Sequence, residues 1–589
     1  MTIRTTKRGA YRIGALLTLI AALTWPLEPA PAQDARATPE AATGRTAKAL
    51  AEGRESMIVT ANPLASEAGQ AMLADGGSAA DAAIAALLVL NVVEPQSAGL
   101  GGGAFALVHT PDGLTSFDAR EAAPAAAGPD LFLEDGTPIG WWDGVASGRS
   151  VGVPGLGRLL EVLHSRYGRL DWARLVAPAE RLAREGFAVS PRLAGMTART
   201  AERIDGTDAG RVFLPGGRPL RIGSQLRQPA LADTLARLAA EGPDILYTAT
   251  IAEEIVAATR VEPRPGALTL ADLSAYRVIE RAPVCSAFRT VWRICGMGPP
   301  SSGATTVGQI LGLMSTFPPA TGADRLHLFA EASRLAYADR AAYLGDPAAT
   351  PVPLRGLLDD SYLAARAGLI DPAQAASTAA TAGTPPWREG QYRAPDTSPG
   401  SPGTTHLSVI DATGLAIALT ASIETAFGSK RMAGGFILNN QLTDFAFTPR
   451  TASGEPRANA PGPGLRPRSS MAPTIVYASD APDQPRILAG SPGGSRIPEY
   501  VALSLLAILE DGADAASAAA VAHASQRNRD TLVLEADAHD PATHAALKAR
   551  GHKVETADMT SGLAIIVVAE DGALTGGADP RREGLAVGR

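Results

Sequence analysis

The sequence predicts a mixed α/β fold. Apolar residues recur at helical spacing over 156–186, 323–346 and 498–510. Short alternating runs at 405–410, 415–421 and 472–477 read as strands, and no internal repeat links the segments. The chain has 589 residues, enough for one very large domain or about three or four small ones. Hydrophobic residues make up 46% and charged residues 19%, which excludes disorder throughout. The 61 glycines and 45 prolines point to many turns, and a formal charge of −7 argues against a general nucleic-acid binder.

Taken in order, the chain opens with Lys7, Arg8 and Arg12, the apolar run Ile13–Trp25 and the small-residue site Ala30-Pro31-Ala32. That is the pattern of a secretory leader, residues 1–32. The apolar run falls short of the about 20 residues that a spanning helix needs, which disfavours an uncleaved anchor. The mature protein is expected to be periplasmic or secreted, with no membrane span.

Residues 64–93 read as two helices split by Gly76-Gly77, with Ser78 as N-cap. Gly99-Leu100-Gly101-Gly102-Gly103 then leads into the strand 104–109. A dinucleotide fingerprint needs a strand before the glycines and a helix after them, so this order excludes it. Close backbone packing at the rim of a site is the better reading. Cys285 and Cys295 share residue 290 as midpoint, within a segment that reads as two short strands around a turn. They would face each other across that hairpin, and an oxidising compartment would permit a disulfide. Two separate buried thiols are the competing reading.

Residues 376–403 lose all periodicity and are rich in Ser, Thr, Pro and Gly, the composition of a flexible linker. Pattern returns at Thr404 as a strand, a turn at Asp411–Gly414 and a second strand. Thr404 and Ser422 share Thr413 as midpoint, so they should lie opposite each other at the mouth of the sheet. Facing Thr and Ser are common as plain sheet pairs. The eight histidines are scattered, with no HExxH or CxxC spacing, so the sequence predicts no metal. His406 falls on the same strand face as Thr404, where a structural role is expected.

TTHLSVIDATGLAIALTASIETAFGSK, ILNNQLTDF, RPRSSMAPTIV and AGSPGGSRI follow one another in the order and spacing of the γ-glutamyltransferases. GLGGGAF, FDAREAAP and GPPSSGATT upstream, and ADPRREGLAVG at the C-terminus, also resemble that family. The resemblance covers essentially everything after the leader. It implies an α+β, four-layer αββα sandwich of the N-terminal-nucleophile hydrolases, made as an inactive precursor. It further implies cleavage between Gly403 and Thr404, giving a large subunit (33–403) and a small catalytic subunit (404–589) that stay associated. Scission would free the Thr404 α-amine, whose unperturbed pKa of about 7.7–8.0 suits it to act as base for its own hydroxyl.

The remaining roles are carried over motif by motif. Ser422 would position the amine, where the family often has Thr. Gly493 and Gly494 would form the backbone oxyanion hole. The implied substrate is a γ-glutamyl compound of the glutathione class, resolved by water or an amino acid or peptide acceptor, with no cofactor. Arg120 would bind its α-carboxylate with Ser469 and Ser470. Asp444, Glu424 and Gln441 would receive its α-ammonium. Plain alternatives stand beside these: a simple turn at Gly493-Gly494, an Arg120–Glu121 pair, a turn-capping Asp444. Some family members carry a longer lid with a tyrosine between the positions of Asp444 and Ser469; the segment 445–468 has none and looks short. The competing functions are a cephalosporin or glutaryl acylase of the same superfamily, and an exported binding protein that never matures.

Overall fold

The structure, a computed structural model, describes residues 1–2, 43–386, 393–396 and 403–589. Apart from its first two residues, the predicted leader lies outside the described residues. Two seven-stranded antiparallel sheets form the centre. One runs, edge to edge, Leu585–Gly588, Met57–Thr60, Gly403–Ile410, Ala416–Glu424, Gly103–Thr110, Gly113–Ala119 and Ile279–Arg281. The other runs Ala51–Gly53, Leu574–Ala578, Ala564–Val568, Ala481–Ala489, Thr474–Ala478, Trp292–Gly296 and Val284–Phe288.

Side-chain alternation sorts the layers. Leu407, Val409, Ile417 and Leu419 of the first sheet pack under helices that include Ala79–Val93 and Trp172–Glu185. Ile294, Val476 and Ile487 of the second pack under Gly303–Ser315, Gly322–Tyr343 and Ile497–Leu509. Met57, Val59, Ile410, Ala418, Ile475 and Leu488 fill the space between the sheets. The result is the four-layer αββα sandwich, an α+β fold.

Local chemistry sets the element boundaries. Ser78 caps Ala79–Val93 in a reciprocal box with Asp81, after the break at Gly76-Gly77. The helical pattern over 156–186 is two helices, Leu156–Tyr167 and Trp172–Glu185. Asp81 accepts the Arg169 and Leu170 amides at 2.9 and 3.2 Å and stabilises the turn between them. Cys285 and Cys295 are opposite residues of the hairpin Val284–Gly296 and are joined by a disulfide.

Up to Gly403, which opens the strand Gly403–Ile410, the described part of 376–403 holds no helix or strand. It is nonetheless tied down. Gly383 O accepts the Tyr343 hydroxyl at 2.7 Å, and Ala380 N donates to Asn528 Oδ1 at 2.7 Å.

Candidate active site

Thr404 is the second residue of the central strand Gly403–Ile410 and pairs with Ser422 of Ala416–Glu424, with a register shift between Gly403 and Thr404. Alternation puts Thr404, His406, Thr420 and Ser422 on the face turned toward the other sheet. The Ser422 hydroxyl donates to Gly403 O at 2.8 Å, and accepts from Thr404 Oγ1 at 3.3 Å and the Glu424 amide at 2.9 Å. Its single proton thus polarises the carbonyl of the Gly403–Thr404 bond. A Cβ at Gly403 would collide with the Glu424 carbonyl oxygen, so the close approach itself demands glycine. Arg582, from the C-terminal motif, donates to Thr404 O at 3.3 Å and to Ser561 O at 3.0 Å.

The Thr404 and Ser422 side chains open into a cavity that is also lined by Arg120, Gln441, Asp444, Ser469, Ser470 and Gly494. Arg120 is buried and bonded through Nη2 to Asp444 Oδ2 at 2.5 Å; Gln441 Nε2 reaches the same oxygen at 3.3 Å. Pro467 O and Arg468 O also accept from the Arg120 guanidinium, which fixes its plane. Ser469 is held by Ser301 and Ser302 of the GPPSSGATT motif, whose Ser302 hydroxyl donates to Ser469 O at 2.7 Å. Gly493 adopts φ +140°, where a side chain would be strained and would press on the Tyr500 ring. Glu424 is buried just behind, its carboxylate accepting Asn440 Nδ2 at 2.8 Å, and its side chain does not line the cavity.

Two further arginines line this cavity and were not singled out by the sequence. Arg340, on Gly322–Tyr343, donates to the Ser470 and Ser302 hydroxyls at 2.7 and 2.8 Å. Burial and the nearby Arg468 guanidinium pull its pKa down to about 9, so an anion in the cavity would relieve it. Arg468 pairs with Asp396 at 2.8 Å. Arg340 shares its helix with Arg325 and Arg334, so nothing in the sequence set it apart.

His406 hydrogen-bonds Thr420 and Ser408 at 2.8 and 3.2 Å. Burial pushes its pKa to about 3, so it stays neutral and packs rather than titrates. Burial raises the Glu121 carboxyl to about 8 against the pull of Arg120, whose Nη1 stands 3.9 Å away.

Two antiparallel sheets between helical layers, with a hydroxyl residue heading a central strand and a polar cavity at its end, define an N-terminal-nucleophile hydrolase. The chain belongs to the γ-glutamyltranspeptidase family, whose description, Gamma-glutamyltranspeptidase, matches residues 65–589. It is 35% identical to the glutathione hydrolase proenzyme of Escherichia coli K12 over 546 residues, 90% of each chain. It is 34% identical to the acylase ACY 1 proenzyme of Pseudomonas sp. SE83 over 556 residues, 92% of this chain and 94% of that one. The crystal structure of cephalosporin acylase from Bacillus halodurans superposes with a TM-score of 0.80 at 26% identity, over 94% of this chain and 99% of its own.

Proposed function

We propose that this enzyme is an exported glutathione hydrolase and γ-glutamyltransferase that matures by cutting itself between Gly403 and Thr404. In the precursor, Thr404 Oγ1 would add to the Gly403 carbonyl carbon, already polarised by Ser422. The C–N bond breaks as the ester forms, and water hydrolyses that ester. Gly403 becomes a carboxylate and Thr404 an α-amine. In turnover the amine takes the proton from its own hydroxyl, and Oγ1 attacks the γ-carbonyl carbon of the donor. The amides of Gly493 and Gly494 receive the oxyanion, and the proton passes to the departing amine. Water or an amino acid or peptide then repeats the attack on the γ-glutamyl ester. The leader and the absence, among the described residues, of a helix able to cross a membrane support placing the enzyme in the periplasm or outside the cell.

The Arg120–Asp444 pair beside Thr404 carries the glutamyl reading. A donor's α-carboxylate and α-ammonium present the same two charges and would replace one internal pair by two. Arg120, Ser469 and Ser470 take the carboxylate, with Arg340 acting behind Ser470; Asp444 and Gln441 take the ammonium, with Glu424 as a further acceptor. Release of nitroaniline from a γ-glutamyl anilide, compared with a glutaryl anilide, tests the reading. The glutaryl compound lacks the ammonium, so kcat/KM should favour the γ-glutamyl compound by about 10- to 100-fold. Asp444→Asn should erase that preference while sparing the glutaryl substrate.

The full-length likeness to a cephalosporin acylase favours a second reading, an acylase of the same superfamily. Equal or better turnover of the glutaryl anilide by the parent enzyme would establish it.

A further inference from the structure

Away from the active site, His327, Glu331 and His552 form a buried cluster whose ligand-capable atoms all lie within 4.8 Å of one another. His327 and Glu331 stand four residues apart on Gly322–Tyr343, hence on one helix face. His552 comes from the turn after the helix Pro541–Ala549. The three side chains thus derive from both sides of Gly403–Thr404.

Three details make this more than a packing cluster. His327 Nε2–H donates a hydrogen bond to the Asp371 carbonyl oxygen at 2.8 Å. That bond fixes the tautomer and leaves the Nδ1 lone pair pointing at His552, the arrangement typical of a metal-ligating histidine. His552 Nε2 then donates to His327 Nδ1 at 2.8 Å, so the two ligand nitrogens face each other across one proton that a cation would displace. Glu331 Oε1 is buried with no hydrogen-bond partner, and burial raises the pKa of this carboxyl, a cost that either a proton or a cation would relieve. Arg334 faces the other carboxylate oxygen at 3.8 Å, and its guanidinium also bonds the Thr378 carbonyl.

We infer that His327, Glu331 and His552 bind one zinc-like divalent cation, tying the region before Thr404 to the region after it. Two imidazoles and a carboxylate suit zinc, which uses such sets at about 2.0–2.2 Å with a fourth position left to a small ligand. Ligands at that distance sit about 3.3–3.5 Å apart in a tetrahedron, so the histidines would part slightly and Glu331 would close in. The sequence showed none of the common zinc spacings, because the third ligand lies far along the chain.

Isothermal titration of the chelator-treated, full-length mature protein with Zn²⁺ tests this. The parent should take up one equivalent, and Glu331→Gln and His552→Gln should each weaken uptake at least about tenfold. No uptake by the parent, or uptake unchanged in both variants, overturns the site. If neither variant folds, Co²⁺ titration of the parent decides alone. Intense visible bands saturating at one equivalent support the site; a featureless titration overturns it. A clamp between separate fragments rests on the proposed scission, whereas the metal site does not. An active preparation that stays uncut would refute the scission, and zinc uptake by that uncut chain would leave the site standing.

Discussion

Ser422 has one proton and three neighbours, so its donor direction is fixed: it gives to Gly403 O and accepts from Thr404 and the Glu424 amide. Ser422→Ala removes that polarising bond, and precursor conversion followed on denaturing gels should slow by about 100-fold or more. Ser422→Thr, which keeps the hydroxyl, should stay near the parent rate. Thr404→Ala should abolish both conversion and turnover. Glu121 makes a separate prediction. Its carboxyl titrates near 8 in the folded protein against 4.5 unfolded, so the native state holds a proton that the unfolded chain loses. Its contribution to stability should fall as pH rises from about 4.5 to about 8. Glu121→Gln should flatten that part of a thermal-melt profile; an unchanged slope would count against the protonated acid. The pairing of Thr404 with Ser422 was legible because a tight hairpin has a computable midpoint. Arg340 was not, because it reaches the cavity from a helix far along the chain from the other lining residues; Arg468 stands beside Ser469 in the RPRSS run, but adjacency alone does not say that its side chain turns into the cavity.

Elements were legible where one period ruled. The capped helix Ala79–Val93 and the strands flanking Asp411–Gly414 were in the pattern of residues. The break within 156–186 was not, since the turn depends on Asp81 from another helix. The layer order also came through the family motifs rather than periodicity, which cannot tell which sheet a strand joins. The hairpin Val284–Gly296 sits at the edge of its sheet, closed by the disulfide. Removing that link with Cys285→Ser and Cys295→Ser together should cost about 2–3 kcal/mol for a loop this short, read as a lower denaturant midpoint. Little change in turnover is expected, because the hairpin does not line the cavity.

Across the whole molecule, strands from before and after Gly403 interleave in both sheets. Met57–Thr60 lies between Leu585–Gly588 and Gly403–Ile410, and Thr474–Ala478 pairs with Trp292–Gly296. A cut chain would therefore keep one shared core, and the two fragments should co-elute in size exclusion until a denaturant is added. Fragments that separate in native buffer would contradict this architecture. N-terminal sequencing of the small polypeptide from an active preparation shows whether an internal threonine becomes a catalytic chain end. A single sequence beginning Thr404-Thr405-His406-Leu407-Ser408 is expected. A different first residue, or full activity from a chain that remains uncut, would contradict it.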